Sequence, residues 1–189
     1  MLHWHVWLPY TVGLLKIIRA VVENRNHVKS ETTLTQEISA ALDVSSHQGR
    51  EDRRIPVLVL LQGSLADACS ALSASLASMA SITFDDLILI SSESPDTYGL
   101  APPRFEQVQS DELVQAQGCL CCSLRSELAQ VLSQIFLRVL RREIPAVRLV
   151  VIVSTATDAD PLRQTLRHAP FLGQRYRLAA SHCLPPESV

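Results

Sequence analysis

Cys119-Leu120-Cys121-Cys122 packs three thiols into four consecutive residues. Thiolates at that density can share one Zn²⁺ or a similar soft ion, or take part in redox exchange. Gly118 precedes them and would let the backbone turn tightly enough to present all three. Beyond them Leu124, Leu128, Val131, Leu132, Ile135, Phe136, Val139 and Leu140 recur with a helical rhythm. That pattern predicts an amphipathic helix from about Ser123 to Glu143. A helix N-terminus carries partial positive charge, which favours ionised thiols nearby. The competing reading is packing, since free cysteine behaves as a small buried hydrophobe. Clustering of this kind is the argument for metal or redox chemistry instead.

A second candidate site follows the apolar run Pro56–Leu61, where a strand turning into a helix could cradle phosphate. The phosphate-loop spacing asks for Gly, four residues, Gly, Lys and then Ser or Thr. Gly63 and Ser70 satisfy two of these positions. Ala68 stands at the second glycine, and Cys69 at the lysine that would neutralise phosphate. Asp67 adds negative charge where donors are needed. Taken alone, the segment reads as an ordinary strand-to-helix turn.

Other reactive residues suggest less. His3 and His5 flank Trp4 in the terminal segment and read as incidental. Asp158 and Asp160 could pair as acid and base, but they suit the start of a helix near Pro161 better. Cys183 reads as a spectator, and no Gly-x-Ser-x-Gly elbow is present for serine hydrolysis.

The elements that must position these residues are legible from pattern. Pro56–Leu61, Leu87–Ile90 and Leu149–Val153 are continuous apolar runs, each the mark of a strand buried on both faces. Helical stretches are expected from about Ala68 to Met79 and from Ser123 to Glu143, with a loop over Pro95–Phe105. Strands alternating with helices predict an α/β fold, a parallel sheet with helices on both faces. Residues 1–53 read as an N-terminal helical extension and linker, and 54–189 as the α/β domain. The extension holds two predicted helices, roughly Val12–Asn24 and Leu34–Val44, the second opened by Thr33 with Gln36 three residues on. Ser45–Arg54 is polar linker, which leaves Leu34–Ser46 without the second helix of a DNA reader.

Composition narrows the function classes. The chain has 189 residues, 47% of them apolar, enough for one domain with a sizeable core. A net charge of −2 with dispersed basic residues leaves no footprint for nucleic acid. Five cysteines, two of them adjacent, do not suit a disulfide framework, so a reducing, cytoplasmic setting is expected. No basic start with a small-residue cleavage site opens the chain. Val6–Val22 is apolar, but Pro9, Lys16 and Arg19 interrupt it and it is short for a membrane span.

Taken together, three segments resemble the CobW-type P-loop GTPases and metallochaperones, relatives of HypB and UreG. Ile55–Leu65 looks like the family's first strand and phosphate-loop entry, and Gly118–Leu128 is similar to its GCxCC segment and following helix. Val151–Pro161 resembles the Walker B strand with its Ala-Asp-Pro turn. The resemblance covers roughly Arg54 to Leu178 and implies a three-layer P-loop NTPase-like sheet, Zn²⁺ held by Cys119, Cys121 and Cys122, and GTP with Mg²⁺ near Gly63 and Ser70. A client metalloprotein would be the partner, and self-association through the extension is a further expectation.

Departures from the family's pattern bear on turnover. Ser154 stands in place of the acidic Mg²⁺ residue, Thr157 in place of a glycine, and Ser91-Ser92-Glu93 where an Asn-Glu pair is usual. No Asn-Lys-x-Asp segment for guanine appears, and the chain stops about where the family's next strand would begin. Phosphoryl transfer rests on positioning and charge neutralisation, so little or no GTP hydrolysis is expected of this degenerate, truncated relative. The alternative is a non-catalytic interaction module with vestigial or redox-active cysteines.

Overall fold

A computed structural model describes residues 33–42, 52–99, 102, 104–109 and 126–184. Five strands form one sheet in the order β3-β2-β4-β1-β5, every neighbouring pair parallel. The strands are β1 (Ile55–Leu61), β2 (Leu87–Ser91), β3 (Phe105–Gln107), β4 (Leu149–Ser154) and β5 (Tyr176–Cys183). The helices are α1 (33–42), α2 (Leu65–Ala77), α3 (Glu127–Leu140), α4 (Asp160–His168) and α5 (Pro170–Arg175). Short 3₁₀ turns at Phe84–Asp86 and Pro95–Tyr98 flank β2.

The apolar runs become central strands because alternate side chains feed two cores. Val57, Val59, Ile88, Ile90, Val150 and Ile152 face α3, α4 and α5. Leu58, Leu60, Leu87, Leu89, Val151 and Val153 face α1 and α2. Leu34 and Ile38 of α1 are fully buried, so this helix belongs to the same core as α2. Each such leucine or isoleucine contributes about 2 kcal/mol by leaving water. The other predicted helix of the extension, Val12–Asn24, lies outside the described residues.

Boundaries shift where capping competes with apolar rhythm. The helix expected to open near Ser123 has its cap at Ser126, whose hydroxyl accepts from Ala129 N at 3.1 Å. It ends at Leu140 rather than Glu143, because Arg142 adopts a left-handed φ of 60°. Arg142 N then donates to Val139 O at 3.0 Å and Glu143 N to Arg138 O at 2.9 Å, the two bonds of a Schellman ending. Leu140, placed on the buried stripe by periodicity, is 66% exposed in that last turn.

Two strands were not foreseen. β3 falls at the end of the segment read as loop, and its three residues carry no hydrophobic run. β5 pairs with β1 and forms one edge of the sheet. Tyr176-Arg177-Leu178-Ala179-Ala180-Ser181-His182-Cys183 lacks a continuous apolar signature because an edge strand needs less of one. Tyr176 anchors it: the side chain is fully buried and its hydroxyl donates to Leu132 O at 2.7 Å.

Candidate functional site

β1 leads into α2 in one layer, and β4 leads into α4 in the other. The two strands are neighbours, with Leu61 opposite Ser154 in register. Where adjacent strands send their chains to opposite faces, a crevice opens beyond the carboxyl ends, the usual ligand position of open α/β sheets. Gly63 lies on one side of this switch point, and Ser154, Ala156 and Asp158 on the other.

The turn from β1 into α2 is three residues long, Gln62, Gly63 and Ser64. Gln62 takes a left-handed φ of 60°. Helix α2 begins at Leu65, because Ser64 forms a capping box with Asp67. Ser64 Oγ accepts from Asp67 N at 3.2 Å, and Asp67 Oδ2 accepts from Ser64 N at 3.0 Å. Ala68, Cys69 and Ser70 therefore sit inside the helix. Ala68 is fully buried in the core, Cys69 is half-buried and Ser70 is exposed. Burial pushes the Cys69 thiol pKa up, which makes it a poor nucleophile.

Gly63 has a packing reason to be glycine. A Cβ there would run into the Leu184 side chain, whose Cβ would lie at 2.9 Å. Leu184 is held in place by donating its backbone N–H to Leu61 O at 2.9 Å.

Glu93, from the turn after β2, reaches across to the same helix start. Its Oε2 accepts from Leu65 N at 2.7 Å, while its own N–H donates to Ser91 Oγ at 3.1 Å. The positive end of α2 is thus matched by a carboxylate of the chain itself. Sequence reading noted Glu93 only as a departure from a family pattern; its contact partner is 28 residues away and left no local signal.

On the other side, Ser154 is 2% exposed and its Oγ accepts from Ala156 N at 3.0 Å. Asp158 Oδ1 accepts from Asp160 N at 2.9 Å, so the two aspartates organise the start of α4 as expected, and Asp160 pairs with Arg163. The two lysines of the chain, Lys16 and Lys29, precede the sheet and lie outside the described residues.

Cys119, Cys121 and Cys122 lie outside the described residues, as do His3 and His5. The described residues on either side of the cysteine stretch meet at the carboxyl edge. Glu127 Oε2, in the first turn of α3, accepts from Gln109 N at 2.7 Å, just after β3. Among the described residues no group of three or more His, Cys, Asp or Glu side chains is placed to hold a metal ion. Nor is any described helix long and apolar enough to cross a membrane. Compared with protein-family models, characterised proteins and solved structures, the chain matches none.

Proposed function

We propose that this chain is a metal-handling protein of CobW type. In this reading it binds one Zn²⁺ through Cys119, Cys121 and Cys122 and has a degenerate nucleotide site. Three thiolates leave a fourth tetrahedral position for water or a client's ligand, which suits transfer better than a closed structural site. The observation that carries the reading is the tie between Gln109 and Glu127. It returns both ends of the cysteine-bearing stretch to the edge of the sheet that holds the β1/β4 switch point. Described carboxylates at that edge include Asp67, Glu93 and Asp158. Their charge favours a cation there over a polyphosphate.

The same geometry supports little or no GTP turnover. A three-residue turn presents few backbone donors, and Glu93 already takes the N–H of Leu65. That contact also favours the second reading, a non-catalytic interaction module that kept the sheet and lost nucleotide.

Zinc content of the full chain, purified under reducing conditions, separates the two. About one Zn²⁺ per chain is expected, as three thiolates make a single site. Cys121→Ser is expected to weaken binding severely, and the Cys119/Cys121/Cys122 triple serine variant to abolish it. Unchanged zinc in the triple variant would sink the metal-handling reading. GTP hydrolysis that disappears in Ser70→Ala would overturn the degenerate nucleotide site.

A further inference from the structure

Arg177 and His182 are five apart in β5, which in regular alternation would send them to opposite faces. The register against β1 contains one extra residue: Val57 pairs with Leu178 and Leu58 with Ala180, leaving Ala179 as a bulge. Both side chains consequently meet α1. The Arg177 guanidinium donates to Ala41 O, and His182 Nδ1 lies 3.3 Å from Glu37 Oε2. The His182 side chain is 8% exposed and that of Glu37 27%. Below this polar contact, Leu34 and Ile38 share a core with Leu58, Leu60 and Ala180.

We propose that α1 is a pH-sensitive strap: the partly buried Glu37–His182 pair grips the sheet while it holds a proton between its two side chains and loosens as that proton leaves. With neutral histidine and ionised glutamate the pair carries a net negative charge away from water, whereas one bound proton makes it neutral overall. Other charged groups at this junction are Arg177 on β5 and Asp52 before β1, 3.7 Å from Arg177 Nε and itself held by Arg54. β1 brings only apolar side chains, and α2 brings the Cys69 thiol to the same cluster. Loss of water around the Glu37 carboxyl raises its pKa, and the attraction and hydrogen bond of His182 offset this only in part. A raised pKa in the docked state means that docking binds the proton. Docking therefore favours the singly protonated pair, and the grip weakens as pH rises and that proton is lost. The ten described residues of α1 would not persist as a helix alone in water, so loosening exposes their amides.

Amide hydrogen exchange on the full chain, corrected for intrinsic rates, tests this between about pH 5 and about pH 8.5, the range that spans a carboxyl–imidazole pair. The opening constant of α1, relative to amides of β1 and β4, is expected to rise about tenfold across that range. Glu37→Gln and His182→Gln are each expected to flatten the profile. An α1 opening constant in the unmodified chain that stays within about twofold throughout would overturn the strap. So would a rise that persists in Glu37→Gln, which keeps the size of the side chain and removes its titrating carboxyl.

Discussion

Glu93 Oε2 sits 2.7 Å from the backbone nitrogen of Leu65, joining the end of β2 to the start of α2 past the carboxyl end of β4. One carboxylate thereby does for the helix start what a bound anion would do in an open cradle. Glu93→Ala is expected to lower unfolding free energy by about 1 kcal/mol, the usual worth of a charge-assisted cap. Glu93→Gln should lose less at high salt than at low, since only the charge is removed. Urea denaturation at two ionic strengths reads both effects. No loss in the alanine variant would show that water replaces the contact freely.

At the strand-to-helix turn, Gly63→Ala is expected to destabilise by about 1–3 kcal/mol, because the new methyl group overlaps Leu184. Pairing it with Leu184→Ala removes the contacts with Cδ1 and Cγ and leaves only that with the Leu184 Cβ at 2.9 Å. The double variant should therefore be more stable than the sum of the single losses by about 0.5–3 kcal/mol. Thermal unfolding of the four proteins closes the cycle, and strict additivity would dissociate Gly63 from Leu184.

Arg142 occupies the left-handed position of the Schellman ending with a φ of 60°, where a Cβ is costly. Arg142→Gly is expected to raise stability by about 0.5–1 kcal/mol, the left-handed relief outweighing the added flexibility of the unfolded chain. A melting temperature at or below that of the parent would contradict this.

Asp52 contributes to stability in acid. Hydrogen bonds from the Arg54 side chain, against a smaller opposing effect of burial, hold the Asp52 carboxyl down at about 2. A depressed value stabilises the fold above the ordinary aspartate pKa of 3.8, and that stability drains away as pH falls toward about 2. Asp52→Asn should flatten this part of the acid limb. Arg54 is only two residues away and can pair in the unfolded chain as well, so the loss at neutral pH should stay under about 1 kcal/mol. An unaltered acid limb in the variant would remove Asp52 from the account.

The amino-acid sequence determined the three central strands, since Val57–Leu61, Leu87–Ile90 and Leu149–Val153 are apolar at every position and have no stable place except between two helical layers. It also determined α2, the body of α3 and a helix near Pro161, through periodicity and capping residues close in the chain. The sequence likewise located the thiol cluster, which needs no tertiary contact to be recognised. Tertiary structure decided what depends on distant neighbours. β5 became a strand because Tyr176 found the Leu132 carbonyl and an open flank of β1, and α1 joined the core because Leu34 and Ile38 met the face that Leu58, Leu60 and Ala180 present. Gly63 and Ser70 match two positions of a phosphate pattern in spacing. Only the fold revealed a three-residue turn, a glycine kept small by Leu184 and a helix start already met by Glu93. Local pattern encodes which elements form, because backbone geometry repeats over a few residues. It does not encode which side chains close a crevice, because those partners are brought together only by packing of the whole sheet.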